Sequence, residues 1–277
     1  MIRTGILLAA GFGSRLRAAA PCKPLCPVGG RALIDHALDG MGLAGMERVI
    51  VVVGHEADAI RRHISGRRRG PLVEVVPTPD PTLPNGVSVL AAERALAGQD
   101  GVLAMCDHLV VPELYARIAR RGAGGGACLA VDRRLDHPWI DKDDVTCVRT
   151  REGMIADIGK GLTDPDCYDM GVFAIAEGLF DALRTQSAPS LSDGMRQLGR
   201  VGLASTLDCS DLDWIDVDDP IALNKAETWW KSARHEFGET GGANETDVPA
   251  KKCDRFRKKS EGRCQKDGTH GELRSAG

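Results

Sequence analysis

The sequence lacks a long apolar run, an excess of positive charge and a paired cysteine motif, and each absence excludes a class of protein. No apolar stretch approaches the ~18 residues that a membrane-spanning helix needs. Residues 6–10 are apolar but end at Gly11, which is too short for the core of a signal peptide. Lys and Arg number 36 against 39 Asp and Glu, a net charge of −3, so no general positive field is available for nucleic acid.

Cysteine is present, but its spacing carries no motif. The 9 cysteines are scattered without the C-x-x-C spacing of a zinc site or the framework of a disulfide-rich secreted protein, which favours a reducing cytoplasm. Apolar residues make up 43% and charged residues 27% of the 277 positions, an ordinary globular composition with enough apolar surface for a sizeable core. A fully disordered, collagenous or coiled-coil chain is therefore excluded.

The first half of the chain predicts strands that alternate with helices. Continuous apolar runs without strand-like alternation are typical of strands covered on both faces, as in a parallel sheet. The stretches between them carry apolar residues at three- and four-residue spacing, which predicts helices. The runs cover residues 5–10, 49–53 and 102–105, and the helical stretches cover 32–42, 56–65 and 87–96. The order β-α-β-α-β-α-β predicts a doubly wound α/β fold.

The second half predicts a mixed sheet, because its apolar stretches are shorter and separated by polar turns. Strands are expected at 126–131, 145–148, 154–158, 170–175 and 201–207, and helices at 179–183, 191–198 and 220–233. We therefore expect one α/β domain over residues 1–235. Residues 236–277 lose periodicity and hold few large apolar side chains, which predicts a disordered, basic tail. A solvated tail is favoured over contact with an acidic partner or a membrane surface.

A glycine-rich segment, Leu8-Ala-Ala-Gly-Phe-Gly-Ser-Arg15, directly follows the first strand. Glycine lets backbone N–H groups approach phosphate oxygens closely, although a plain tight turn is the simpler alternative. Leu16 replaces the third glycine of the dinucleotide-binding fingerprint, and the P-loop sequence Gly-Lys-Ser/Thr is absent. Lys23 lies between Pro21 and Pro24, so its backbone is stiff and its ammonium can serve as a second phosphate-binding cation.

These segments together resemble a known family. The glycine-rich segment, then Lys23-Pro-Leu25 and Val28-Gly-Gly30, is similar to the signature of the nucleotidyltransferases that make NDP-sugars and CDP-alcohols. Further matches are Asn85-Gly86-x-Ser88, Cys106-Asp107-His108, Ile155-x-x-Ile-Gly-Lys160, Cys167-x-Asp169-x-Gly171 and Trp214-Ile-Asp-Val-Asp218. This combination most resembles the CTP:inositol-1-phosphate cytidylyltransferases, over residues 3 to 234. The resemblance implies a Rossmann-like sheet of the nucleotide-diphospho-sugar transferase type and transfer of CMP from CTP to inositol-1-phosphate.

The chemistry of such a transfer demands little of the protein. A phosphate monoester has a second pKa near ~6, so it is largely dianionic at neutral pH and attacks without a dedicated general base. Positioning, neutralisation of the triphosphate and stabilisation of the leaving pyrophosphate must be supplied, usually with Mg²⁺. Accordingly, none of His55, His108 and His137 is assigned a catalytic role.

The resemblance assigns residues to each task. Arg15 and Lys23 would hold the triphosphate, and Lys160 would face the acceptor phosphate. Asp107 follows a strand at its carboxyl end, and Asp216 and Asp218 point to one face of a strand, so these three would hold Mg²⁺. A helix N-cap at Asp218 or Asp219 is the alternative. The remaining nucleotide contacts would be Leu8, Ala9, Ala10, Gly11, Gly13, Ser14, Asn85, Gly86 and Ser88, and the remaining acceptor contacts Asp132, Asp169 and Gly171.

The sequence leaves several alternatives open for the acceptor and for the function. The acceptor could instead be a sugar-1-phosphate, phosphocholine or a phosphonate. A non-catalytic nucleotide-binding regulator is a second possibility, but the chain keeps the loop cations and the metal carboxylates that such a protein would lose. The resembling enzymes are known partly as the soluble half of bifunctional proteins, so a membrane-bound enzyme that acts next is one expected partner, and an oligomer is another.

Overall fold

The computed structural model describes residues 1–237, so the tail predicted for 236–277 lies almost wholly outside the described residues. The strands are β1 Thr4–Ala9, β2 Pro27–Val28, β3 Arg31–Ala32, β4 Arg48–Val53, β5 Leu72–Pro77, β6 Gly101–Met105, β7 His108–Val110, β8 Ala127–Asp132, β9 Thr146–Arg151, β10 Met154–Lys160, β11 Cys167–Ile175, β12 Ala204–Asp208 and β13 Trp214–Asp216. The α-helices are α1 Leu33–Leu43, α2 Ala57–Ser65, α3 Asn85–Leu96, α4 Pro112–Arg121, α5 Glu177–Arg184, α6 Leu191–Arg200 and α7 Pro220–Ala233.

A nine-stranded sheet in the order β5-β4-β1-β6-β11-β8-β12-β10-β9 forms the centre of the domain. Strand β1 pairs in parallel with both β4 and β6, and β4 pairs in parallel with β5. Strand β11 is antiparallel to β6 and to β8, and β12 is parallel to β8. Most strands therefore run one way, which confirms the predicted mixed, mainly parallel sheet of an α/β domain.

Helices cover both faces of this sheet, which explains why the strand sequences are continuously apolar. Successive strand residues point to opposite faces, so Leu7 packs with Leu38 of α1 and Leu114 of α4. Ile6 packs on the other face with Val89 of α3. Leu7 and Ile6 are both fully buried. A polar side chain at either position would be left without water or a hydrogen-bond partner.

A smaller layer lies beyond the carboxyl end of β6. Strand β7 pairs antiparallel with β13, and α7 packs over this pair through its two adjacent tryptophans. In this layer the pairing of β13 with β7 brings the end of β13 close to the end of β6, where the polar motifs lie. Within residues 1–237, no helix is long and apolar enough to cross a membrane.

Most predicted elements lie within a few residues of their observed bounds, but one helix was missed. Helix α4 buries Leu114, Tyr115 and Ile118 at helical spacing against α1 and β11. Four elements begin two or three residues from their expected starts: the strands expected from residues 201 and 170 begin at Ala204 and Cys167, and the helices expected from 87 and 179 begin at Asn85 and Glu177.

Candidate active site

The glycine-rich segment forms the wall of a narrow pocket at the carboxyl end of β1. Gly13 has φ +55°, and a Cβ there would lie 2.4 Å from the Cβ of Lys23, so both conformation and contact require glycine. A Cβ at Gly11 would meet no atom within 4 Å, so this residue faces open space. The pocket has a volume of about 190 Å³, and its wall includes Leu8, Ala9, Gly11, Gly13 and Ser14.

Lys23 is held rigidly on the opposite wall of the same pocket. It begins a 3-10 turn with Pro24, and its side chain is only 10% exposed. Its Nζ donates to Oδ2 of Asp107 at 2.6 Å and also to the carboxylate of Asp218. The two carboxylates thus hold the Lys23 ammonium in one position in the pocket wall, where a phosphate group can meet it.

Strand pairing brings the acidic residues together. Asp107 follows β6, and β7 pairs with β13 so that His108 lies opposite Asp216. Asp144, Asp216 and Asp218 each offer an oxygen, and these oxygens lie within 4.8 Å of one another. Oδ1 of Asp216 is buried and has no hydrogen-bond partner within the described residues. Carboxylate oxygens in this arrangement, one of them without a donor, fit a divalent metal ion.

The helix N-cap and the pocket carboxylate are two different residues, Asp219 and Asp218. Oδ1 of Asp219 accepts a hydrogen bond from the backbone N–H of Ala222 at 2.7 Å, so Asp219 is the N-cap of α7. The Asp218 carboxylate points instead into the pocket, where it accepts from Arg15 and Lys23. Asp218 thus remains available to the acidic cluster.

His108 lies among these carboxylates, although sequence reasoning gave it no role. Its Nδ1 is 3.0 Å from Oδ1 of Asp107 and 3.9 Å from Oδ1 of Asp216. Burial lowers its pKa, but the carboxylates of Asp216 and Asp107 outweigh burial and raise the pKa to about 9. The ring stacks on Trp214 with centroids 5.7 Å apart, and a Cβ at Gly171 would lie 2.4 Å from it. The imidazolium is therefore fixed in place as a positive charge.

The neighbouring carboxyls respond to burial in different ways. Burial alone raises the pKa of Asp107, but the adjacent Lys23 ammonium and His108 hold that pKa well below its usual range. Burial raises the pKa of Asp169 to about 6, even though its Oδ1 accepts the Gly171 N–H at 2.7 Å. Asp107 is therefore an anion at any physiological pH, while Asp169 titrates near neutrality.

A second, larger cavity of about 510 Å³ adjoins the pocket and shares Arg15, Asp107 and Asp218 with it. Its walls include Lys160 and Asp144, and the Asp144 carboxylate bridges two cations. Oδ2 accepts from Nη2 of Arg15 at 2.6 Å, and Oδ1 accepts from Nζ of Lys160 at 2.5 Å. Sequence reasoning missed Asp144, which lies in an irregular segment and carries no motif. Asp169 and Gly171 also line this cavity.

The motif at the start of α3 contributes one cavity residue. Asn85 lines the large cavity, and its Oδ1 accepts the backbone N–H of Leu191 at 2.9 Å. A Cβ at Gly86 would lie 2.4 Å from the carbonyl oxygen of Pro189, and Ser88 is buried with its hydroxyl 3.2 Å from that of Thr78. The side chain of Ser88 therefore packs α3 against its neighbours.

Two residues predicted as substrate contacts, Asp132 and Ala10, are buried in the structure. Asp132 is fully buried, and its Oδ2 accepts from Nε1 of Trp214 at 2.9 Å while both carboxylate oxygens accept from Arg134. The Asp132 side chain thus points into the core, where it braces Trp214. Ala10 is also buried, and its carbonyl accepts the N–H of His55 at 3.1 Å, which ties the glycine-rich segment to the end of β4.

Comparison with known proteins identifies relatives along most of the domain. The chain is 36% identical over 227 residues to a protein of Rubrobacter xylanophilus named bifunctional IPC transferase and DIPP synthase, covering 80% of this chain and 50% of that protein. It is 29% identical over 247 residues to the CMP-5'-(3-aminopropyl)phosphonate synthase of Streptomyces rubellomurinus, covering 80% and 38%. The chain thus spans about half or less of the length of these curated relatives.

Among solved structures, the inositol-1-phosphate CTP transferase from T. maritima has the same fold. It superposes with a TM-score of 0.77 at 22% identity, covering 87% of this chain and 98% of that one. Residues 5–187 match the family described as the MobA-like NTP transferase domain. This match confirms the resemblance to nucleotidyltransferases drawn from the motifs. The chain belongs to the MobA-like NTP transferase family.

Proposed function

We propose that this chain transfers CMP from CTP to inositol-1-phosphate and releases pyrophosphate. The observation that carries the proposal is the pair of adjoining cavities: one is walled by the glycine-rich segment and Lys23, the other holds Lys160, and both share Arg15 and Asp107. A nucleotidyl transfer needs two phosphate-binding places that meet at one reacting phosphorus. The relative from Rubrobacter xylanophilus, named an IPC transferase, supports the choice of acceptor.

In this proposal the triphosphate lies against the glycine-rich segment, with its charge met by Lys23 and Arg15. Asp107 and Asp216, with Asp218 beside them, would hold Mg²⁺, which when bound neutralises the triphosphate and the leaving pyrophosphate. Asp144 pairs with both Arg15 and Lys160 until the phosphate groups of the substrates replace its carboxylate.

The transfer itself requires no base from the protein. A phosphate oxygen of the acceptor, oriented by Lys160, attacks the α-phosphorus of CTP and forms the new P–O bond. The bond from the α-phosphorus to the bridging oxygen of the β-phosphate breaks in line, and its electron pair leaves with pyrophosphate. Because the attacking phosphate is already dianionic near pH 7, no proton has to be removed.

A phosphonate acceptor that carries an amine is the second candidate. Asp141, Asp169 and Trp139 line the large cavity outside the group that would hold the metal. Carboxylates and an aromatic face suit an ammonium group. The relative from Streptomyces rubellomurinus, named for a product that carries an aminopropyl group, supports this possibility.

Pyrophosphate release measured over four NTPs and a panel of acceptors tests the proposal. The panel contains inositol-1-phosphate, glucose-1-phosphate, phosphocholine and 3-aminopropylphosphonate, with Mg²⁺ present. We expect CTP with inositol-1-phosphate to give the highest kcat/KM. A preference of more than about tenfold for another acceptor, or ~1.4 kcal/mol in transition-state binding, would overturn the inositol assignment. Nucleotide binding without release from any pair would favour the regulator.

A further inference from the structure

The last residues of β10 present different side chains to the two faces of the strand. Successive strand residues point to opposite faces, so Asp157 and Gly159 share one face. Ile158 and Lys160 share the other face, and both line the large cavity. The register with β9 is regular from Asp157 to Lys160, which preserves this alternation. The reach of Lys160 into the cavity therefore depends on the position of the strand end.

Strand pairing secures this end of β10 on one side. Strand β9 pairs with β10 as far as Lys160, which lies opposite Thr146. Strand β12 pairs with β10 at Met154, and among residues 1–237 no strand continues that pairing to Gly159. Further support for the strand end has to come from outside the sheet.

Arg196 of α6 supplies such support on the face opposite Lys160. Its Nε donates to Oδ1 of Asp157 at 3.1 Å, and its Nη1 donates to Oδ1 of Asp193, one turn back in the helix, at 2.6 Å. Its Nη2 lies over Gly159, where a Cβ would overlap it. One guanidinium thus connects α6 to the two residues that share a face of β10.

Helix α6 has contacts of its own that hold it in place without Arg196. Ser190 is its N-cap and satisfies the first turn. In its last turn, a Cβ at Gly199 would lie 2.4 Å from the carbonyl oxygen of Ile155, so helix and strand are in close contact there. The helix is therefore a fixed support, and the guanidinium links the end of β10 to it.

A second cation at Asp157 separates the link to α6 from simple charge pairing. Nη2 of Arg149 on β9 donates to Oδ2 of Asp157 at 3.3 Å. Loss of Arg196 leaves that carboxylate paired, so it removes the link to the helix without creating an unpaired charge. Loss of Arg149 leaves the link intact.

We propose that Arg196 is a positioning residue for the acceptor phosphate, because it fixes the end of β10 from which Lys160 reaches that phosphate. The inference rests on the proposed function, in which Lys160 faces the acceptor. The Lys160 side chain is 57% exposed, so its own packing does little to fix it and the strand has to limit where its ammonium lies. A misplacement of about 1 Å in such a group can cost ~10²-fold in rate.

Steady-state kinetics of Arg196→Met test the proposal, since methionine keeps most of the apolar stem and removes the guanidinium. We expect the KM for inositol-1-phosphate to rise at least about fivefold, while the KM for CTP changes less than about twofold. Arg196→Lys should recover part of the loss, because an ammonium can pair with Asp157 or Asp193 but cannot also cover Gly159. An equal rise in both KM values, or no change in either, would overturn the proposal.

The matched control is Arg149→Met. It removes the same charge from beside the same carboxylate, but from β9 rather than from α6. The ratio of the two KM values should stay as in the wild type. The same change of ratio in Arg149→Met and Arg196→Met would mean that charge beside Asp157, and not the link to α6, is what matters.

A double-mutant cycle tests the contact with Gly159 directly. The new Cβ of Gly159→Ala would displace the guanidinium, so this variant should raise the acceptor KM in the wild-type background. In the Arg196→Met background the same substitution should add little, because the group it displaces is gone. Additive effects of the two substitutions would contradict the proposal.

Amide hydrogen exchange separates this inference from the identity of the acceptor. In Arg196→Met, peptides covering residues 154–160 should exchange at least about threefold faster than in the wild type, while those covering β4 stay unchanged. Unchanged exchange at residues 154–160 would overturn the role of Arg196 whatever the acceptor is. Failure of the wild type to turn over inositol-1-phosphate would overturn the proposed function instead, and the KM comparison would then use the acceptor that the panel selects.

Discussion

Replacing Asp144 by asparagine removes the carboxylate that Arg15 and Lys160 share while keeping the size of the side chain. The two cations are 48% and 57% exposed at their side chains, and the Asp144 side chain is 25% exposed. Ion pairs of such exposure contribute ~0.2–1 kcal/mol each. Two pairs therefore hold the cations with about 0.5–2 kcal/mol, and an incoming phosphate group has to displace that interaction.

Asp144→Asn should therefore tighten the binding of phosphate groups. At 1.4 kcal/mol per tenfold, the expected gain in affinity is about 2- to 30-fold. Isothermal titration with inorganic pyrophosphate at fixed Mg²⁺ measures it directly, and product inhibition by pyrophosphate should strengthen by the same factor. The gain should shrink as salt is raised, because exposed ion pairs are screened.

The neighbouring carboxylate provides the control. Asp143 is exposed, its side chain has no ion-pair partner among residues 1–237, and its N–H donates to Asp141 at 3.0 Å. Asp143→Asn makes the same change in net charge and should leave pyrophosphate affinity unchanged. A loss of affinity of threefold or more in Asp144→Asn would refute the reasoning. Such a loss would instead mean that Asp144 holds the metal with Asp216 and Asp218, whose oxygens lie within 4.8 Å of its own.

The remaining predictions concern single substitutions. Asp107→Ala should lower the rate of pyrophosphate release by ~10²-fold or more, and near wild-type release would remove Asp107 from the site. Lys160→Ala should raise the KM for the acceptor far more than the KM for CTP, whereas equal changes would move Lys160 to the nucleotide side. Gly171→Ala should cost about 1–3 kcal/mol of unfolding free energy, because φ is +74° and the new Cβ would overlap His108. Denaturant unfolding measures this cost, and unchanged stability would contradict the close approach of His108 to Gly171.

Features that depend on residues close together in the sequence were predictable. Strands β1, β4 and β6 are continuously apolar because helices cover both faces of the sheet, and that pattern alone indicated their parallel arrangement. The glycine-rich segment and Lys23 were predictable for a similar reason, since backbone stiffness and freedom depend on neighbouring residues. Helix α4 was equally predictable from the helical spacing of its apolar residues. The arginines of its exposed face lower the mean hydropathy of the segment, so this spacing is less evident in the sequence.

Features that depend on distant pairs were not predictable. Asp144 and Arg15 are 129 positions apart, and no local pattern marks either as the partner of the other. His108 becomes a fixed cation only because β13 returns beside β7 and brings Asp216 to it. Asp132 ends a strand, as a cavity residue would, but Trp214 of that same returning strand covers it.

The contact between Gly13 and Lys23 acts as a mechanical stop. Because the lysine Cβ occupies the space that a side chain at Gly13 would fill, the glycine-rich segment cannot move further toward Lys23. Thermal motion can widen the pocket but cannot narrow it below this contact. The pocket between the glycine-rich segment and Lys23 is therefore already open before a nucleotide binds.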